Sequence, residues 1–230
     1  LSARARTCYA KAGWPHARTE SWKYTNLNAL AAADFSLAEP LDALIPEDRV
    51  LASEAPRVVL VNGVLNAGLS NLDRPPEGVS VVRVGDADGP DQAALRVLLE
   101  EETSTDGLPL AALNAAILSD VLLLNIAEEA YPETPVHVIS IGASENGAFA
   151  PRLIIRAGEG SFADVIESHV GSDAEVYFSN IVTQVTVGKR ARLGHYRVQN
   201  EALGAFHIAL TTADVAEGAV YDNFVLSLGA

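Results

Sequence analysis

Methionine is absent from this 230-residue chain, and cysteine occurs once, at Cys8. Ordinary usage of roughly 2% predicts four or five methionines, so the expectation is a fragment with methionines missing from it and some local spacings one residue short. One cysteine excludes an intrachain disulfide and a Cys-pair metal site, and it points to a reducing, cytoplasmic setting. Basic residues are scarce as well. Sixteen Lys and Arg face 30 Asp and Glu, a formal charge of −14, which argues against a nucleic-acid surface and disfavours phosphate and anionic-lipid partners. No apolar run approaches the roughly 18 to 20 residues of a membrane span. The segment from Leu1 to Ala12 carries Arg4, Arg6 and Lys11 without the apolar core of a signal peptide.

Catalytic motifs are missing too. Gly188-Lys189-Arg190 lacks both the preceding glycine and the Ser/Thr of a phosphate loop. Neither G-x-S-x-G nor H-E-x-x-H occurs. The five histidines, His16, His137, His169, His195 and His207, are dispersed, with no second His or Cys at i+2 to i+4. The sequence therefore assigns no catalytic, cofactor-binding or metal-ligating residue.

What is present is a repeat. Between Leu153 and Leu226 small residues recur at Gly160, Gly188 and Ala216, alanines at Ala163, Ala191 and Ala219, and apolar residues at Val165, Leu193 and Tyr221. Ser168, Tyr196 and Phe224 continue the columns, as do Val170, Val198 and Leu226, and Ile154, Val182 and Leu210 form another. The step is 28 residues, within the range of stacked repeats in which each unit buries its apolar face against its neighbours. The units are rich in Val, Ile, Thr and aromatics and show no 3.6-residue spacing, so they are built from strands. At about 3.3 Å per residue, such a unit makes two strands with corners, one coil of a parallel β-helix, with the alanines stacked inside at the strand spacing. A β-sandwich with accidental periodicity is the alternative.

Ahead of the repeat the chain is mixed. Helical composition marks Leu1–Ala12, Asn28–Ala33, Asp91–Glu102 and Leu110–Leu118, while Arg57–Val61 and Val79–Val84 read as strands. Trp22 and Tyr24 stand either for a ligand-stacking box or for packing of the N-terminal segment, and Glu100–Glu102 for a cation site or a solvated face. Strand-like runs at Val121–Ile126, Val136–Ile141 and Leu153–Arg156 are spaced by about half the later period. The expected architecture is mainly β: a mixed α/β cap domain over residues 1–119 and an incomplete β-helix over 120–230.

One column has chemical potential: Glu167, His195 and Asn223 fall at the repeat step, and a carboxylate beside an imidazole is a candidate acid/base pair. The plain alternative is a polar ladder at an exposed corner. Lys189, Arg190, Arg192 and Arg197 gather into a positive patch, either a docking edge or solvated side chains.

Trp14-Pro15 with Glu20-x-Trp22-Lys23-Tyr24-Thr25, Val61-Asn62-Gly63 with Leu69-Ser70, Leu113-Asn114, Val198-Gln199-Asn200-Glu201 and Ala205-Phe206-His207 occur in that order along almost the whole chain. The set resembles the SufB/SufD family of the SUF iron–sulfur cluster assembly complex, its SufD branch in particular. The resemblance implies a right-handed parallel β-helix after an N-terminal domain, in a non-catalytic scaffold subunit that pairs with a SufB-like subunit and binds a SufC-like ATPase. It also implies that cluster-related residues lie beyond Ala230, so that this portion carries no cofactor and a transient iron–sulfur cluster belongs at the complex interface. Two rivals remain: a β-helix enzyme acting on polysaccharide through Glu167 and His195, and a purely structural solenoid.

Overall fold

The computed structural model describes residues 2–16, 18–50, 56–71, 75–86, 108–171 and 176–228. The expected helix over 91–102, with Glu100–Glu102, lies outside the described residues. Three α-helices are described: α1 (Ser2–Ala12), α2 (Asn28–Ala32) and α3 (Pro109–Ala116). α1 ends where Gly13 takes φ +67, a left-handed conformation that suits a residue without Cβ. Pro109 stands in the first turn of α3, where its missing N–H costs nothing.

The strands are β1 (Ser36–Leu37), β2 (Arg57–Val61), β3 (Val64–Leu65), β4 (Val79–Arg83), β5 (Val121–Ile126), β6 (Val136–Gly142), β7 (Gly147–Phe149), β8 (Arg152–Ala157), β9 (Phe162–Gly171), β10 (Phe178–Val187), β11 (Arg192–Asn200), β12 (Phe206–Val215) and β13 (Val220–Ser227). They form two sheets. One runs β1-β7-β10-β8-β5-β4 with β12 also on β10, and the other β13-β11-β9-β6-β2-β3. From β8 onward consecutive strands alternate between the sheets, and each pairs in parallel with the equivalent strand of the next coil, as do β5 with β8 and β6 with β9. The result is a β-solenoid of about three turns, which rules out the sandwich. The N-terminal part adds to it: β2 lies parallel to β6 and β4 antiparallel to β5.

The repeat step is not constant. Phe178 pairs with Phe206 and Arg192 with Val220, a step of 28 residues. Phe162 pairs with Arg192 and Arg152 with Val182, a step of 30. The extra two residues fall between β9 and β10, so columns drawn at a fixed 28 slip by two across the preceding coil. Ala163 accordingly stands beside Leu193, and the alanines Ala191 and Ala219 align with Ser161. The small-residue column is Gly158, Gly188 and Ala216: their amides donate to Ile126, Ala157 and Val187 of the coil before. A Cβ on Gly158 would stand 2.6 Å from the Glu128 nitrogen, so the close approach of adjacent corners requires glycine there.

Period-2 alternation sends Ala163, Val165, Glu167 and His169 of β9 to the same face. The half nearest the glycine corner is apolar, with Leu122, Leu124, Val136, Val138, Leu153, Ile155, Val165, Val185 and Leu193 in a single cluster. Beyond Val165 the lining of the same interior turns polar.

Trp14 and Trp22 pack with Phe35 against Leu27, Leu30, Leu110 and Phe178, which assigns the tryptophans to anchoring of the N-terminal segment. α3 is tied down by Asn114, whose Nδ2 donates to the carbonyls of Pro151 and Asn180 while its Oδ1 accepts from Nε and Nη2 of the buried Arg152. Burial lowers the Arg152 guanidinium to about 10.

Candidate functional site

The polar half of the solenoid interior is built on Glu167. Its Oε1 lies 2.6 Å from His195 Nε2, accepts from Thr183 Oγ1 at 3.1 Å, and stands 3.4 Å from an Arg197 nitrogen. Its Oε2 is 3.3 Å from His169 Nε2. His195 Nδ1 is 2.7 Å from the Tyr221 hydroxyl, so both contacts of this ring are satisfied when Nε2–H donates to Glu167 and Nδ1 accepts from the phenol. Arg197 also donates to Thr211 Oγ1 at 2.6 Å. Strands β9, β10 and β11 thus meet on one carboxylate, and Arg197 and His195 extend the network to β12 and β13.

A second carboxylate continues the network. Glu201 accepts from the Tyr177 hydroxyl at 3.1 Å and from Ser179 Oγ at 3.3 Å, and its Oε2 is 2.8 Å from His207 Nδ1. The His169 and His207 rings, 4.9 Å apart between centroids, join the two halves. Tyr177 reaches Glu201 because Gly142 and Gly171, paired in register, leave its ring a slot; a Cβ on Gly142 would come 2.3 Å from Tyr177 Cζ.

Electrostatics follows from burial. Glu167 is 2% exposed and His195 0%. Burial alone would raise the Glu167 carboxyl, but contacts from His169 and His195 and the charge of Arg197 hold it well below the ordinary carboxylate value. Glu201 is likewise lowered: burial opposes, and His207 and Tyr177 overcome it. Burial pushes His169 down by more than Glu167 lifts it. Burial also raises the Tyr221 phenol to about 12, which keeps it a proton donor.

Glu167 and His195 therefore meet, but not as expected. Register sets Glu167 beside Arg197, and His195 between Val165 and Asn223. The pair touches diagonally across adjacent strands, inside the coil rather than at an exposed corner, while Asn223 is exposed. Sequence reasoning missed His169, Arg197, Glu201 and His207 as members of this network; the alternation through Val165, Glu167 and His169 was the signal that places His169 inward. His137 faces the other way and bonds Ser168 at 2.8 Å. The positive patch also dissolves, since Arg190 pairs with Glu159, Arg192 with Asp222 and Arg197 with Glu167.

Chemically, this is a network whose groups touch one another. A metal site needs donors converging on a vacant point about 2.0–2.3 Å from each; here the donors lie in mutual hydrogen-bond contact. Among the described residues no group of three or more His, Cys, Asp or Glu is disposed to hold a metal ion. Burial of Glu167 and His195 also withholds them from a polymer in an external cleft, against the polysaccharide-enzyme alternative.

The network predicts a pH profile. Glu167 and Glu201 have folded values below their unfolded ones, so their stabilisation is present above about pH 4.5 and is lost as pH falls through the folded values. His169, also lowered, favours the folded state above about 6.5 and penalises it below. The melting temperature should be level from about pH 8 to 7, decline below about 6.5 and fall more steeply below about 4.5. Thermal unfolding followed by circular dichroism across that range checks this; a flat profile down to about pH 4 contradicts it.

No described helix is long and apolar enough to cross a membrane. Two family models match in succession: the SufBD protein N-terminal region over residues 2–138, and the SUF system FeS cluster assembly SufBD core domain over 139–230. Among curated relatives, an iron–sulfur cluster assembly SufBD family protein of Synechocystis sp. is 25% identical over 94% of this chain and 50% of its own length. The chloroplastic protein ABCI7 of Arabidopsis thaliana is 23% identical over 94% of this chain and 47% of its own. The chain spans about half the length of these relatives. Glu201 and His207, which close the last two motifs of the ordered set, touch at 2.8 Å between Oε2 and Nδ1, and with both family models together covering residues 2–230, the chain belongs to the SufBD family of iron–sulfur cluster assembly proteins.

Proposed function

We propose that this chain is part of a SufD-like, non-catalytic scaffold subunit of a cytoplasmic SufBCD-type complex, on which iron and sulfide are built into a cluster for transfer to apo-proteins. The succession of SufBD N-terminal and core matches along one continuous parallel solenoid carries this reading. In it the cluster is cargo held transiently at the complex interface, and no residue of this chain is assigned as its ligand. ATP hydrolysis belongs to a SufC-like subunit, in keeping with a sequence without a phosphate loop.

Physical chemistry supports a subunit that pairs through strands. Backbone donors and acceptors along the edge strands of a parallel solenoid accept further strands, the kind of surface on which a SufB-like subunit pairs in this reading. Affinity purification of the protein at its natural length, coexpressed with SufB-like and SufC-like subunits, should recover both in fixed ratio. Recovery of a monomer indifferent to both overturns the proposal.

A further inference from the structure

Two carboxylates, Glu167 and Glu201, share the polar half of the solenoid interior with one guanidinium, that of Arg197, and all three are buried. A buried charge without a partner is strongly unfavourable, so this count calls for one further proton on an imidazole. His195 does not supply it. Its Nδ1 accepts from the Tyr221 hydroxyl and its Nε2–H donates to Glu167, which is the neutral ring. The proton falls to His169 and His207, whose rings face each other 4.9 Å apart.

The contacts put it on the His207 side. His207 Nδ1 lies 2.8 Å from Glu201 Oε2, whereas His169 Nε2 lies 3.3 Å from Glu167 Oε2, and Glu167 already meets Arg197. The other partners of Glu201, namely Tyr177, Ser179 and Gln199, are neutral donors. Around the two rings the titratable and charged groups are therefore Glu167 of β9, Tyr177 just before β10, His195 and Arg197 of β11, and Glu201 beyond it, with Tyr221 of β13 behind His195. Ser140 of β6, in register with His169, is neutral, and His137 of that strand faces away. Burial, and after it the facing His207, holds His169 below its ordinary value against the lift from Glu167.

These contacts hold the turn between β11 and β12. Glu201 opens the turn and is gripped from the β10 side by Tyr177 and Ser179 and from β12 by His207. The Phe206 amide, at the end of the turn, donates to the Tyr177 carbonyl at 2.8 Å. Leu203 between them is 75% exposed, so the turn is fastened from within.

We infer that His169 and His207 form a proton-operated latch on the β11–β12 turn. One proton on the pair keeps Glu201 seated. A second, taken from solvent, sets imidazolium against imidazolium, unseats Glu201 and opens the polar half of the interior. The His207 side chain, 10% exposed against 4% for His169 and 0% for His195, is the entry route. The closed turn takes the second proton less readily than the open one, so falling pH favours opening. The other half of the interior, around Leu124, Val165 and Leu193, is apolar and does not titrate, which keeps the response local.

Hydrogen exchange of the intact protein, corrected for the intrinsic pH dependence of exchange, tests this. The amides of Ala205 and Phe206 should exchange about tenfold faster at about pH 5.5 than at about pH 7.5, while those of Val165 and Leu193 keep their protection. His169→Gln, whose amide still donates to Glu167 but takes no proton, should show the same protection at both pH values. His16→Gln, at an exposed site outside the network, should respond as the parent does. In the parent, imidazole ring NMR should show the pair taking up its two protons in separate steps. Unchanged protection of the turn in the parent, a loss spread evenly over the solenoid, uptake of both protons in one step, or a pH response that survives in His169→Gln each overturns the inference; the parent alone decides the first three.

Discussion

Replacing Glu167 by alanine should lower stability by about 3–5 kcal/mol, the usual cost of removing one partner from a buried charge network. In a chain of this size that corresponds to a melting temperature lower by roughly 10 °C. The carboxylate is the common partner of His195, His169, Thr183 and Arg197, and its removal leaves their polar atoms buried without it. Glu167→Gln should cost less, since the amide oxygen still accepts from Thr183 and Arg197. Chemical unfolding of the two variants beside the parent measures both effects. A change within about 0.5 kcal/mol for the alanine variant would mean that the network is solvated and the solenoid interior is not as described. Because the substitution acts on the fold, loss of function in it is no sign of catalysis.

Asn114→Ala should have the second largest effect, about 2–4 kcal/mol. The substitution removes four hydrogen bonds at a fully buried position, two to the carbonyls of Pro151 and Asn180 and two from Arg152. Asn180 in turn donates to the Leu110 carbonyl, so α3 is held by reciprocal amide contacts with β10. α1 rests on α3 through Ala5, and loosening one should loosen the other. Hydrogen exchange should quicken at the amides of both helices while the β9–β11 ladder keeps its protection. Exchange unchanged at α3 contradicts this role for Asn114.

Much of the architecture was legible from period and composition. Strand-rich units at a step near 28 gave coils, and the runs at Val121 and Val136 are the first solenoid pair, β5 and β6. The helices α1, α2 and α3 fell where helical composition placed them. What escaped was register. A fixed step cannot see two extra residues between β9 and β10, and with side chains alternating every residue a two-residue slip preserves each face while exchanging its neighbours. That is why Glu167 and His195 were set on a common column yet meet diagonally. Depth was also invisible, since polar residues at strand positions read as surface until both sheets are seen to close over them. His169, Glu201 and His207 are separated along the chain and come together only through coil stacking.

The SufBD family membership ties this solenoid to iron–sulfur cluster assembly, and the proposed scaffold role makes a cellular claim. Deleting the natural-length protein and measuring the activity of an iron–sulfur-dependent dehydratase, with its polypeptide level held constant, tests that claim most directly. The account predicts a fall in activity, matched by an ATPase-inactive SufC-like subunit and restored by re-expressing the protein. Full dehydratase activity in the deletion strain under iron limitation would contradict it.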